Sequence, residues 1–225
     1  MDLQALTRIK NWVFDLDDTL YPSSAELYAQ MCNRIKRFIM DLLNVDEEKA
    51  WDIQKNYYVK YGATVRGLVL EHKIKPETFN EYVHQLDLSP LKKDEELNKR
   101  LSSLHVKKFI FTNGAKSHAE RVTQKLGIAH EFEGIFSISD ADFIPKPSKE
   151  AYLKMLDTFQ IEPNESVMLD DNQRNLKTAH EIGMKTVWIN ANFHDNVYNT
   201  LSDTPDFCDF QTPKLATFLK NINVA

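Results

Sequence analysis

The stretch "NWVFDLDDTLY", Asn11–Tyr21, places three carboxylates, Asp15, Asp17 and Asp18, directly behind an apolar run. "NWVFDL" is short and bulky, the pattern of a strand buried in a sheet. Like charges this close repel. The segment is therefore either an acidic turn on the surface or one side of a site that takes positive charge. Downstream, from Pro22 to about Leu91, the texture is helical. "SSAELYAQMCNRIKRFIMDLL" carries Leu27, Met31, Ile35, Phe38, Ile39 and Leu42 as a helical stripe behind a serine cap. Asp46 is placed to cap a second helix through Trp51 to about Tyr58. "ATVRGLVLEHK" and "PETFNEYVHQL" read as two more.

After Asp94 the rhythm changes to strands alternating with helices. "VKKFIFTN", "GIFSIS", "ESVMLDD" and "KTVWIN" read as strands, with a weak one at "DFCDF". "AKSHAERVTQKLG", "SKEAYLKMLDTFQ" and "QRNLKTAHEIG" read as helices between them, and a last helix starts at about Thr212. Gly127 and Gly183 stand where a glycine just past a helix end is expected. This alternation predicts an α/β fold: a Rossmann-like parallel sheet with helices on both faces. The core comprises residues 1–21 and 92–225. A helical cap of about 70 residues, 22–91, is inserted after the first strand, where it can cover that strand's end.

In such sheets ligands bind beyond the carboxyl ends of the strands. Asp15 and Asp17 fall there, as do Thr112 and Asn113 after "FIF", and Asp170 and Asp171 after "VML". Lys146 lies in the loop "FIPKPS". Asp15, Asp17, Asp170 and Asp171 total −4 if ionised, and Lys146 returns +1. Converging carboxylates cannot all stay ionised without compensation. A divalent cation would leave −1. An all-oxygen donor set suits a hard ion, which points to Mg2+. The seven histidines form no HxxxH or HxH pair, and Cys32 and Cys208 form no CxxC, so a zinc site is not expected.

Four motifs now stand in order: "DLDDT" (Asp15–Thr19), "FTN" with Thr112, "PKP" with Lys146, and "LDD" with Asp170 and Asp171. In sequence and spacing they resemble the haloacid dehalogenase-like hydrolase superfamily over nearly the whole chain. The resemblance implies a Mg2+-dependent phosphomonoesterase working through an aspartyl-phosphate. Asp15 would be the nucleophile, and Asp17 the acid that protonates the leaving oxygen and then the base that activates water. Thr112 and the backbone of Asn113 and Gly114 would hold phosphate oxygens. Lys146 would steady nucleophile and phosphate. Asp15, the Asp17 carbonyl, Asp170 and Asp171 would hold the metal. A dehalogenase expels halide and needs no acid two residues on, so Asp17 argues against that reaction.

"KYGATVRGL" (Lys60–Leu68), with the segments Phe111–Ile128 and Leu169–Met184, is similar to the pyrimidine 5′-nucleotidase branch. This implies nucleoside 5′-monophosphates as substrates, with pyrimidines preferred, and makes Tyr61, Thr64 and Arg66 candidates for contacting base or ribose. Alternatives are a phosphatase for another small metabolite such as phosphoglycolate, a sugar-phosphate mutase, and an inactive binder of the same fold. His118 and His180 read as structural, and Asp18 carries no assigned chemistry. Asp171 could cap the following helix, and Asn172 or Asn175 could orient that loop.

Bulk properties agree with a small-molecule enzyme. The 225 residues have net charge −5 and imply no strongly basic face, the basic run "NRIKRF" reading as a solvated helix face, which disfavours a nucleic-acid polymer as partner. The partner expected is a small phosphorylated metabolite, and the chain a monomer or homodimer. "MDLQALTRIKNWVF" has no long apolar segment of the secretory kind and no run suits a membrane span, so a cytoplasmic, membrane-free location is expected.

Overall fold

The computed structural model describes residues 3–191 and 204–222. The expected core segments include residues 1–2, 192–203 and 223–225, which lie outside that range. The strands are β1 Asn11–Phe14, β2 Lys107–Phe111, β3 Gly134–Phe136, β4 Ser166–Asp170, β5 Lys185–Ile189 and β6 Phe210–Thr212. They form one parallel sheet in the order β3-β2-β1-β4-β5-β6. The first strand sits inside it, with Phe14 opposite Ile110 on one side and Leu169 on the other. Strand order reverses at β1, so the site beyond its end is the switch point of the sheet.

Between β1 and β2 the chain forms α1 Leu27–Leu43, α2 Glu47–Tyr61, α3 Thr64–His72, α4 Pro76–Val83 and α5 Glu95–Ser102. Later come α6 Lys116–Leu126, α7 Lys149–Phe159, α8 Gln173–Glu181 and α9 Leu215–Lys220. Side chains alternate along a strand, and β1 uses both faces. Trp12 and Phe14 pack with Leu97 and Leu101 of α5, Val122 of α6 and Phe218 of α9. Val13 packs the other way, with Tyr152 and Met155 of α7 and Leu176 of α8. Two helical layers therefore sandwich the sheet, and β1 is buried throughout.

The helices α1 to α4 have a core of their own. Ile39, Ala50, Val65, Leu68, Phe79 and Val83 form it, joined from the sheet domain by Ile138. α1 packs on α2 and α4, and α3 packs on α2 and α4, closing a four-helix ring. Asp46 caps α2 by accepting from the Lys49 N–H at 2.8 Å. Such a cap stabilises by about 1 kcal/mol. Gly67 permits the α2–α3 approach, because a Cβ there would lie 2.4 Å from the Tyr57 ring. Among the described residues no helix is long and apolar enough to cross a membrane.

Three local expectations change. Ser23 and Ser24 do not cap α1; they lie in a short 3-10 turn, and Glu26, at φ 56°, stands at the start of the helix with no side-chain cap. α2 continues to Tyr61 rather than ending near Tyr58, because Gly62 at φ 83° supplies the left-handed stop. The last strand is Phe210–Thr212, later than "DFCDF"; Asp209 instead accepts from the Thr186 N–H at 3.0 Å and anchors the strand's start against β5.

Candidate active site

The strand ends bring the expected core residues together. Lys146 is almost wholly buried, and its ammonium donates to Asp15 Oδ1 at 2.6 Å, Asp170 Oδ2 at 2.8 Å and the Phe111 carbonyl at 2.8 Å. All three of its N–H bonds are thus used on groups from three different strands or strand ends. The lysine reaches them from an irregular loop that Asn113 holds. The Asn113 side chain accepts from the Lys146 N–H at 2.8 Å and donates to the Lys146 carbonyl at 3.0 Å. Asp170 is held as firmly. It accepts from the Asn172 N–H at 2.8 Å and from Asn175 Nδ2 at 3.0 Å to each oxygen. Both asparagines therefore orient this loop. Asn172 also caps α8 by accepting from the Arg174 N–H, the role that Asp171 was a candidate for.

One carboxylate oxygen from each of Asp15, Asp170 and Asp171 lies within 4.8 Å of the others. Burial pushes the Asp15 carboxyl up to about 8, and Asp170 and Asp17 add to the rise although Lys146 opposes it. Desolvation likewise drives Asp171 well above its ordinary value, with Asp170 and Asp15 adding repulsion. Burial works against the Lys146 ammonium, but Asp15 and Asp170 more than offset it and hold its pKa above the usual lysine value. One lysine does not balance this cluster. The donors are all hard oxygens, so the residues present fit a divalent cation of the Mg2+ kind.

Asp17 is shifted in the opposite direction. Burial acts to raise its carboxyl, but His118, Tyr21 and His84 together bring it down to about 2. His118 Nε2 lies 2.9 Å from Asp17 Oδ1, and the Tyr21 hydroxyl donates to the same oxygen. His118 reads in the sequence as structural, and Tyr21 carries no assigned role there; the structure brings both to Asp17. A signal for His118 was present: His118, Val122 and Leu126 share one buried stripe of α6. Nothing in the sequence pointed to His84, whose ring centroid lies 4.9 Å from that of His118. His180 is exposed near the end of α8, away from these groups.

Thr112 is buried at the end of β2, and its Oγ1 accepts from the Gly114 N–H at 2.9 Å. Thr112, Asn113 and Gly114 form part of the wall of a cavity of about 400 Å³, over a floor that includes Asp15, Asp17, Lys146 and Asp171. The opposite wall comes from α1 to α4, including Met31, Ile35, Gln54, Thr64 and Phe79. Gln54 Oε1 is buried there without a hydrogen-bond partner among the described residues. Of the three candidates in the inserted helices, the structure brings only Thr64 to this wall. The Tyr61 hydroxyl turns to Glu71, and neither Tyr61 nor Arg66 is among the lining residues. Tyr61 ends α2 before the Gly62 break, whereas Thr64 starts α3 after it.

A doubly wound parallel sheet with paired aspartates, a threonine and a buried lysine at its switch point defines a hydrolase of the α/β class. The chain belongs to the haloacid dehalogenase-like hydrolase family, whose model matches residues 9–183. It is 31% identical to phosphate metabolism protein 8 of Saccharomyces cerevisiae over 78% of its own length. That match spans only 60% of the yeast protein. It is 26% identical to the glyceraldehyde 3-phosphate phosphatase of Pyrococcus furiosus, over 97% of this chain and 96% of that one. In structure it is similar to a HAD phosphatase from Thermococcus onnurineus, with TM-score 0.62, 20% identity and coverage of 94% of this chain and 97% of that one. L-2-haloacid dehalogenase from Xanthobacter autotrophicus is also similar, with TM-score 0.59, 15% identity and the same coverages. At these identities the structural likenesses speak for the fold alone. Family and named relatives together support a phosphoric monoester hydrolase.

Proposed function

We propose that the protein hydrolyses small phosphomonoesters through an aspartyl-phosphate on Asp15, with Mg2+ held by Asp15, Asp170, Asp171 and the Asp17 backbone carbonyl. The observation that carries this is the Lys146 bridge between Asp15 Oδ1 and Asp170 Oδ2 beneath an open cavity. With Oδ1 tied to the lysine, Oδ2 of Asp15 is the attacking atom. It forms a bond to phosphorus as the bond to the leaving oxygen breaks, and Asp17 gives that oxygen a proton. Water then attacks the aspartyl-phosphate, Asp17 takes the proton, and inorganic phosphate leaves. Bound Mg2+ supplies positive charge against the repulsion between carboxylate and phosphoryl oxygens. Lys146 supplies more, fixed before the reaction starts. Thr112, Asn113 and Gly114 hold the non-reacting phosphate oxygens.

The low pKa of Asp17 presents it as a carboxylate, the form the second step uses. For the first step a monoanionic ester carries in the proton, since phosphomonoesters have a second ionisation at about pH 6. That proton passes through Asp17 to the leaving oxygen.

Residues 22–91 serve as the cap that selects the leaving group, a reading supported by the separate apolar core of their middle part, while Ala25, Leu27, Leu86 and Leu91 pack with the sheet domain. We assign nucleoside 5′-monophosphates, pyrimidines preferred, as the substrate class, on the resemblance of the "KYGATVRGL" region to pyrimidine 5′-nucleotidases. A cavity of about 400 Å³ with an apolar wall favours a ring-sized leaving group. Gln54 Oε1 offers an acceptor to an N–H or O–H on it. A second reading, a triose phosphate, draws on the glyceraldehyde 3-phosphate phosphatase of Pyrococcus furiosus, which matches nearly end to end. The test is phosphate release from UMP, CMP, glyceraldehyde 3-phosphate, phosphoglycolate and p-nitrophenyl phosphate, with Mg2+ and with EDTA. Turnover is expected with Mg2+ alone, best on UMP and CMP, and falling by about 10⁴-fold or more in Asp15→Asn. Turnover in EDTA, or an active Asp15→Asn variant, overturns the mechanism. Glyceraldehyde 3-phosphate outperforming UMP and CMP overturns the nucleotide assignment alone.

A further inference from the structure

Asp17 needs to move a proton at one atom, and its setting leaves little choice of which. Both hydrogen bonds that hold its side chain fall on Oδ1: His118 Nε2 at 2.9 Å and the Tyr21 hydroxyl. The two donors come from different places. Tyr21 follows Asp17 by four residues, at the exit from the sheet domain, whereas His118 stands in the first turns of α6. His118 is itself fully buried. A carboxylate only accepts, so the proton of the imidazole facing it is on Nε2. Beside His118 lies the His84 ring, whose Nδ1 is 2.9 Å from the Asn80 carbonyl of α4. Arg121 of α6 bonds the His84 carbonyl. A row of side chains thus runs from the last helix of the ring to Asp17.

We propose that His118 and Tyr21 are positioning residues for Asp17, clamping Oδ1 so that Oδ2 faces the reacting oxygens in the cavity. Neither touches substrate. They remove the rotational freedom of a carboxylate that must meet first the leaving oxygen and then the attacking water, and restricted orientation of a catalytic group is worth a large rate factor. His84 packs beside the imidazole, ring centroids 4.9 Å apart. The proposal rests on the reading of Asp17 as the proton-transfer group.

A proton donor matters where the leaving oxygen is basic and hardly at all where the leaving group is stable as an anion. The experiment therefore compares kcat/KM on an alkyl phosphate, UMP or phosphoglycolate, with that on p-nitrophenyl phosphate, in His118→Ala, His118→Gln, Tyr21→Phe and Asp17→Asn. Proton transfer contributes roughly 10²–10⁴-fold. His118→Ala is expected to lose about 10- to 100-fold on the alkyl phosphate and less than about threefold on p-nitrophenyl phosphate. His118→Gln, which keeps an N–H at that reach, should regain most of the loss. Tyr21→Phe, which keeps the shape of the side chain, should show the same selectivity at about fivefold. Equal losses on both substrates, or no loss in either His118→Ala or Tyr21→Phe while Asp17→Asn is selective, overturns the proposal. If Asp17→Asn itself is unselective, the assignment of Asp17 has failed instead.

Discussion

The two walls of the cavity are built on opposite principles. On the strand side charge is held at several points at once: Lys146 spends three bonds on three elements, and Asp170 accepts four. On the side formed by α1 to α4 the surface is mostly helical and apolar, and Gln54 Oε1 has no hydrogen-bond partner among the described residues. One wall holds charge at fixed points, as chemistry on a phosphoryl group demands. The other offers shape and an unsatisfied acceptor, as selection among leaving groups demands. Reaction and choice of substrate can therefore change separately.

If that division holds, substitutions on the two sides should differ in kind. The largest effect is expected on the charged side. Lys146→Met keeps the length of the side chain and removes its charge and three donors; kcat should fall about 10²- to 10³-fold on all esters alike, measured by phosphate release. Selective loss on one substrate would blur the contrast. Gln54→Leu should act in the opposite manner, lowering kcat/KM for UMP and CMP by about tenfold, the worth of one buried hydrogen bond, while p-nitrophenyl phosphate stays within about twofold. Smallest of all, Tyr61→Ala and Arg66→Ala should leave the ranking of substrates unchanged to within about twofold, since surface changes away from a site have small effects. A reordered ranking would mean that the substrate reaches further along α2 and α3 than the cavity wall suggests.

The same division explains what could be read in the sequence. A residue at a strand end has one possible place, the edge of the sheet, so Asp15, Thr112 and Asp170 were legible once the strands were. Lys146 lies outside any strand but was placed by its order between two of them. The helical insert was legible as helices, because the apolar stripe of α1 and the Asp46 cap follow from local pattern. Its cavity wall was not. Which side of a helix faces a neighbour depends on packing, and the Gly62 break turns Thr64 inward and leaves Tyr61 outside. The start of α1 was misread because Ser23 and Ser24 have good capping chemistry, while the chain instead turns through Glu26 at positive φ. His118 was missed for another reason: a histidine on a buried stripe looks like packing until its partner, 101 residues away, is known.

The paired hydrogen bonds between Asn113 and the peptide of Lys146 have a consequence for how the loop "FIPKPS" is anchored. A side-chain amide has the same donor and acceptor as a peptide group, and here Asn113 uses it as a stretch of strand would. It supplies one more rung beyond the point where β2 and β3 have ended. Lys146, itself in a turn, is thus tied to the end of β2 without belonging to a strand. Replacing Asn113 by the isosteric aspartate would remove the donor from that surrogate rung and set a carboxylate against a carbonyl, so this amide cannot be exchanged for its acid.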